Sequence, residues 1–360
     1  MQRIGLVGLP NSGKSSLFNA LTGANVQVAS HAFSTTDTNV AVAPLPDSRL
    51  QALAEMSRSR KVVQAGVEVV DIAGLVAGAS QGEGLGNRFL AGIREVDALL
   101  YVLRAFHDDE APGGEDPLAD LETLELELVM ADLGSLENQA QKRHKQARIK
   151  GDKNLEAEAK AIEAAVGFLE EGVPIYKASF GPEERELLRG SFLLTDKPVL
   201  AVVNLGDDQL ERYDEIMAPV ETSLKGVGDA LGVCVQLEAE ASQLPAAERS
   251  EMLEGLGLGE GVVPRLAQAA FHILGLRTFF TTGDKESRAW IFRAGAKAPE
   301  CAGVIHSDLQ RGFIRAEVIY WDNLLELGGW NEAKAKGRLR VEGKDYQVLD
   351  GDVLEIRFNV

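Results

Sequence analysis

The sequence predicts an α/β protein: a mostly parallel sheet with helices on both faces, interrupted by a long helical hairpin and followed by a small α+β domain. Three observations carry this. Strand-like and helix-like segments alternate from the amino end. From Pro117 to about Glu171, Leu, Ala, Glu, Lys and Gln dominate and glycine is sparse. From Thr278 onward the texture changes to short strand-like runs such as Ala289-Trp290-Ile291-Phe292 and Val353-Leu354-Glu355-Ile356-Arg357-Phe358.

The first strand is Arg3-Ile4-Gly5-Leu6-Val7, and an amphipathic helix begins near Ser16-Leu17-Phe18. Between them stands Gly8-Leu9-Pro10-Asn11-Ser12-Gly13-Lys14-Ser15. This is the phosphate-binding pattern G-x-x-x-x-G-K-[ST] in the strand–loop–helix setting it requires. Its glycines let backbone N–H groups turn toward phosphate oxygens, and the helix N-terminus adds its dipole. Residues Asn11, Ser12, Gly13, Lys14, Ser15 and Ser16 are the expected nucleotide contacts. Lys14 would reach the β- and γ-phosphates, and the Ser15 hydroxyl would bind Mg²⁺. A plain glycine turn would not need every fixed position filled.

Next comes Phe33-Ser34-Thr35-Thr36-Asp37. A switch loop needs a Thr hydroxyl that completes the Mg²⁺ shell while the γ-phosphate is present. Thr35 is assigned that role, with Thr36 as competitor. The strand Val67-Glu68-Val69-Val70-Asp71-Ile72 then ends in Asp71-Ile72-Ala73-Gly74. In switch-type nucleotidases such an Asp holds Mg²⁺ through water, and the Gly N–H contacts the γ-phosphate. Asp and Gly also close ordinary strand-end turns; the upstream phosphate loop favours the functional role for Asp71 and Gly74.

A further strand, Ala98 to Leu103, precedes the helical stretch. There Leu121, Leu124, Leu128 and Val129, then Leu133 and Leu136, recur at helical spacing. Gly151-Asp152 would turn the chain, and a second arm would run through Leu155, Ala159, Ile162, Val166 and Leu169. The expectation is an antiparallel coiled-coil hairpin. Lys142, Arg143, His144, Lys145, Arg148, Lys150 and Lys153 cluster near its tip. A solvated helix surface and a contact with an acidic partner both account for them.

A strand resumes at Pro198-Val199-Leu200-Ala201-Val202-Val203-Asn204, so the hairpin is an insertion. Asn204-Leu205-Gly206-Asp207 follows at the strand end, where an open α/β sheet places its ligand. It stands where guanine readers carry Asn-Lys-x-Asp, with Leu205 in place of the Lys. Residues 1–133 and 195–277 are assigned to the nucleotide domain, 134–194 to the hairpin and 278–360 to the last domain.

Bulk properties narrow the function. A length of 360 residues suits two or three domains. The net charge of −18 argues against general nucleic-acid affinity, leaving only local basic patches. Cys234 and Cys301 have no metal spacing, which fits a reducing cytoplasm and unpaired thiols. No apolar run is long enough to span a bilayer and the amino end lacks a signal-peptide pattern. A cytoplasmic monomer is expected.

These motifs resemble the YchF subfamily of Obg-related P-loop nucleotidases, the Obg-like ATPases. The resemblance rests on Gly8 to Ser16, Phe33 to Asn39, Pro46-Asp47-Ser48-Arg49-Leu50, Asp71 to Val76 with Gly82-Glu83-Gly84-Leu85-Gly86-Asn87, and Ile93 to Ala98. Toward the carboxyl end it rests on Arg288-Ala289-Trp290, Gly312 to Ala316, Glu342 to Tyr346 and Asp350 to Val360. It implies a nucleotide domain, an inserted coiled-coil hairpin and a C-terminal ubiquitin-like TGS domain. It also implies a slow Mg²⁺-dependent nucleoside triphosphatase that acts as a switch on the ribosome, either the large subunit or the 70S particle, through rRNA or protein contacts. Basic candidates for that contact are the hairpin tip and Lys285, Arg288, Arg311 and Arg315.

The resemblance gives other residues meaning. Leu75 stands where many small GTPases have a water-orienting Gln, so water must be positioned otherwise. Asn11 matches a phosphate-loop Asn associated with K⁺, which makes it a catalytic candidate beside Lys14, Thr35 and Gly74. Val235 and Gln236 correspond to a second base-side loop. Family members carry Asn-x-x-Glu where this chain ends in Asp207; ATP is the first expectation and GTP the rival. Ser34 replaces a family Cys, and the loop after Phe106 lacks the family's His, with His107 the nearest imidazole. A nucleotide-loaded scaffold with negligible hydrolysis is the alternative function. A small-molecule kinase lacks any sign of an acceptor pocket or lid.

Overall fold

The computed structural model describes residues 2–23, 39–72, 85–108, 114–255 and 261–359. Twelve strands occur among them: β1 (Arg3–Val7), β2 (Asn39–Leu45), β3 (Val62–Val63), β4 (Ala65–Asp71), β5 (Ala98–Arg104), β6 (Val199–Asn204), β7 (Asp229–Val233), β8 (Leu276–Thr281), β9 (Ser287–Arg293), β10 (Phe313–Tyr320), β11 (Arg340–Glu342) and β12 (Asp352–Phe358). The chain divides into two compact units, Met1–Val42 with Glu68–Ala270, and Ala43–Val67 with Phe271–Val360.

The sheet of the first unit has the order β2-β4-β1-β5-β6-β7. Strand β1 pairs in parallel with β4 and β5, β5 with β6, and β6 with β7. All seven residues of β5 and all six of β6 are buried, as expected of parallel strands covered on both faces. The chain runs from β1 to one side of the sheet and later to the other, so the end of β1 is a switch point of the topology.

The helical insertion forms as its pattern predicts. Helix Pro117–Lys150 starts with Asp116 accepting from the N–H groups of Leu118 and Ala119, with proline at the first turn. It ends at Gly151 in the left-handed conformation, and Asp152 caps the returning helix Lys153–Glu170. Leu121, Leu124 and Leu128 belong to the core of the sheet, whereas Val129 and Leu136 join Ile162, Ala165 and Leu169. The helix therefore begins on the nucleotide sheet and continues into the hairpin.

Three carboxylates on this helix are buried, Asp120, Glu125 and Asp132. Each finds donors, as burial demands. Asp120 accepts from Arg104 N at 3.0 Å. Glu125 accepts from Tyr176 and from Lys177 Nζ. Asp132 accepts from Leu194 N at 3.0 Å and from both the N–H and the hydroxyl of Thr195, at 2.8 and 2.7 Å.

The second unit has the sheet order β11-β10-β12-β8-β9-β3. Strands β8 and β12 are parallel, with antiparallel neighbours β9 and β10 outside them and β11 beyond β10. That is a ubiquitin-like order with β3 added in parallel to β9. Residues Ala43–Val67 belong to this unit, whereas the sequence reading gave all of 1–133 to the nucleotide domain. Arg49, on helix Ser48–Met56, pairs with Asp350 at 2.7 Å and lies over the Phe280 ring. Thr282 Oγ1 donates to Leu53 O at 3.2 Å. These partners are more than two hundred residues away, so local periodicity could not reveal them.

Candidate nucleotide site

The loop between β1 and helix Lys14–Thr22 takes its shape from two left-handed residues, Asn11 at φ 60° and Gly13 at φ 93°. Asn is among the few side-chain-bearing residues that tolerate this region, so backbone shape alone gives a reason for Asn11. Gly13 is constrained further: a Cβ there would sit 2.3 Å from Asn204 Nδ2. At Gly8 a Cβ would sit 2.5 Å from Val102 O, so the loop is pressed against β5.

Gly13 caps the helix without any side chain, and the first intrahelical bond is Leu17 N to Gly13 O. The opening amides of a helix lack intrahelical acceptors, which leaves those of Lys14, Ser15 and Ser16 to an anion. Ser12 N is engaged with Leu9 O at 3.3 Å. The Ser12 hydroxyl is buried and meets no hydrogen-bond partner among the described residues.

Lys14 is buried, and its Nζ donates to Gly8 O at 3.0 Å and Leu9 O at 2.8 Å. Burial lowers its pKa to about 8 against the opposing attraction of Asp71 and Asp120. Asp71, at the end of β4, accepts from Ser15 Oγ at 3.0 Å. Burial raises the Asp71 pKa, while the Ser15 hydroxyl, Lys14 and Asn39 pull it down. The two residues assigned to Mg²⁺ from separate parts of the sequence thus meet here. Oxygen donors of this kind suit Mg²⁺, which uses few protein oxygens and completes its shell with phosphate and water.

Asn204, at the end of β6, joins the phosphate loop to the base side. Its Nδ2 donates to Ser12 O at 3.1 Å, and its Oδ1 accepts from Val235 N at 3.2 Å. Val235 opens helix Val235–Ser242 and is buried, whereas Gln236 is exposed and bonds Glu240 at 3.1 Å. Leu205 is buried in the sheet core, its N–H donating to Val233 O. Asp207 is exposed and accepts from Asp208 N at 2.9 Å. His107 is exposed and pairs with Glu115 at 2.6 Å.

Thr35, Thr36, Gly74 and Leu75 lie outside the described residues. Two residues near the site were missed by sequence reasoning. Asp120 acts on Lys14 through its charge and holds the Arg104 N–H. Arg104 is buried, bonds Phe106 O at 3.0 Å, lies over the Phe106 ring at 4.8 Å and has a buried Nη2 that meets no partner among the described residues. A carboxylate one position before the apolar stripe Leu121-Leu124-Leu128 was the available signal for Asp120.

Among the described residues no helix is long and apolar enough to cross a membrane. Residues 3–149 match the family described as a 50S ribosome-binding GTPase, and residues 276–359 match YchF-GTPase_C, described as a protein of unknown function (DUF933). The chain is 44% identical to "Ribosome-binding ATPase YchF" of Bacillus subtilis (strain 168), over 99% of each protein. It is 36% identical to "Obg-like ATPase 1" of Oryza sativa subsp. japonica, over 99% of this chain and 92% of that protein. The solved structure of the Schizosaccharomyces pombe YchF GTPase superposes with a TM-score of 0.86 at 31% identity, covering 99% of this chain and 97% of the other.

Proposed function

The chain belongs to the YchF family, and from that premise we propose that it is a ribosome-associated switch that hydrolyses ATP in preference to GTP. It is a P-loop ATPase/GTPase by its fold and relatives. The observation that carries the reading is the Ser15 Oγ–Asp71 Oδ2 contact of 3.0 Å beside the buried Lys14. It joins the phosphate loop to the Asp-x-x-Gly strand end.

In this reading Lys14 gives its ammonium to the β- and γ-phosphate oxygens, and the Lys14, Ser15 and Ser16 amides bind phosphate oxygens. Ser15 and Asp71, with Thr35, would hold Mg²⁺, which supplies charge neutralisation of the polyphosphate when bound. Asn204 keeps the loop in shape by holding the Ser12 carbonyl. The Gly74 N–H would meet the γ-phosphate. Asn11 would hold K⁺; equal hydrolysis in sodium and potassium would count against that role. Asn204, Leu205, Asp207, Val235 and Gln236 border the base.

The loss of the base-reading Lys at Leu205 favours ATP; the short carboxylate of Asp207 keeps GTP as the rival. Parallel dissociation constants for the two nucleotides decide between them. The relatives bear the name of an ATPase, so we take hydrolysis rather than scaffolding by occupancy alone. Single-turnover hydrolysis with and without ribosomes tests this: acceleration is expected, and no acceleration would favour the scaffold. We further propose a cytoplasmic monomer, the segmentation into nucleotide domain, hairpin and TGS domain, and rRNA contact through the hairpin tip. At that tip Arg143 and His144 pair with Glu158 and Glu163, whereas Lys142, Lys145, Arg148, Lys150 and Lys153 are exposed.

A further inference from the structure

Strands β5 and β6 part at the edge of the sheet where the base-side residues begin. The β1–β5 ladder ends at Tyr101, and the β5–β6 ladder ends with Arg104 opposite Asn204. Beyond that point the Asn204 carbonyl accepts from two successive amides, Ala105 N at 2.9 Å and Phe106 N at 3.3 Å. The carbonyl of Ala105 has outrun both ladders, yet Ala105 is buried. A carbonyl in that position needs a donor from elsewhere.

Gln209 supplies it. This residue stands in the 3-10 stretch Asp207–Arg212, just past Asn204-Leu205-Gly206-Asp207. Its Nε2 donates to Ala105 O at 2.8 Å, and its Oε1 accepts from Gly206 N at 2.9 Å. One primary amide thus uses both of its ends to fasten the segment after β6 to the segment after β5. The two segments lie in contact: a Cβ on Gly206 would sit 3.6 Å from Phe106 Cβ. The segment after β5 is fixed in turn, because Phe106 O accepts from Arg104 Nε at 3.0 Å. On the other side Leu205 N is committed to Val233 O at 2.9 Å.

Freezing a glutamine side chain costs rotamer freedom comparable to what two neutral hydrogen bonds return. The bridge therefore adds little to overall stability, and its consequence is geometric. It also differs from the other amide bridge of this site. Asn204 reaches Ser12 in the phosphate loop and Val235, whereas Gln209 joins Ala105 to Gly206 and leaves the phosphate loop alone.

We propose that Gln209 is a positioning residue for the nucleobase: it holds residues 204–207 against the segment after β5 and so pre-forms the base side of the site. The proposal rests on the nucleotide reading above and separates the base side from the phosphate grip. Gln209 itself touches no part of the nucleotide in this role. A loop already held in place spares the ligand the cost of ordering it.

The test uses the full-length chain with two substitutions. Gln209→Met has a similar length and makes neither bond. Gln209→Glu keeps an acceptor for Gly206 N but sets a carboxylate oxygen against Ala105 O. Each protein is titrated with ATP and with inorganic tripolyphosphate, both with Mg²⁺, in competition with a fluorescent ATP analogue. Gln209→Met should bind ATP about tenfold more weakly while its affinity for tripolyphosphate stays within about twofold of wild type. Gln209→Glu should lose at least as much ATP affinity as Gln209→Met. Single-turnover hydrolysis at saturating ATP should stay within about twofold of wild type in both variants, because the phosphate loop is untouched. Equal losses for ATP and tripolyphosphate would show a general structural role and overturn the proposal. Wild-type ATP affinity in either variant, or a fall in the saturated rate that matches the fall in affinity, would overturn it too. A wild-type chain that binds neither ligand would refute the nucleotide reading itself.

Discussion

Asn204 Nδ2 donates to the carbonyl of Ser12 at 3.1 Å, across 192 positions of sequence. The same side chain accepts from Val235 N. One amide therefore ties the phosphate loop, the end of β6 and the second base-side loop together. Replacing Asn204 by Asp keeps the acceptor for Val235 but turns a donor into a carboxylate oxygen facing a carbonyl. Leaving buried groups unmatched costs about 1–3 kcal/mol. Asn204→Asp should lower the thermal midpoint and weaken nucleotide binding together, with melting curves and nucleotide titrations as readouts.

Gly13→Ala adds a methyl group where Asn204 Nδ2 stands 2.3 Å away, at a φ of 93° that side chains disfavour. The backbone term alone is about 1–2 kcal/mol. Nucleotide affinity should fall more than about tenfold, because the loop itself must move. Circular dichroism should show the helical content unchanged. A variant that binds as tightly as wild type would show that the loop is not held to the shape described.

The pKa of Lys14 is lowered to about 8, chiefly by burial. A folded value below the unfolded one means that the unfolded chain binds more protons between the two. Stability of the nucleotide-free protein should therefore rise with pH from about 8 toward the ordinary value of 10.5. Binding runs the other way. A polyphosphate favours charged Lys14, so binding takes up a proton and affinity should decline above about pH 8, by up to about tenfold per unit. Titrations in two buffers of different ionisation enthalpy would reveal that proton; Lys14→Ala should abolish the uptake.

Asp132→Ala removes the acceptor for three hydrogen bonds, from the backbone of Leu194 and from both donors of Thr195. The chain re-enters the nucleotide sheet just after these residues. The loss should be about 3 kcal/mol, read as a shift of the denaturant midpoint. Proteolysis should be enhanced between Leu193 and Pro198 before the sheet itself is cut.

Local patterns made much of this legible. The phosphate loop was readable because its chemistry needs glycine, lysine and serine at fixed spacing, and the helical insertion because leucines recur on one face and Gly151 stops it. The end of β6 could be placed, since apolar strands announce themselves. Other features depend on contacts that no local pattern carries. Arg49 belongs with Asp350, and Ser59 with Gly283, only because the fold joins them. Asp120, Glu125 and Asp132 lie on a helix rich in acids; their donors come from other elements, and those donors make burial affordable. The roles of Thr35 and Gly74 remain expectations, since both lie outside the described residues.

The claim beneath all of this is that the Lys14 loop grips the tail of a nucleoside triphosphate. Calorimetric titration of ATP with Mg²⁺ into wild type and Lys14→Ala tests it directly. Wild type should bind one equivalent, and the variant should bind at least about 100-fold more weakly while melting normally, because charged hydrogen bonds to phosphate are lost. A correctly folded Lys14→Ala protein that binds ATP with wild-type affinity would contradict the account.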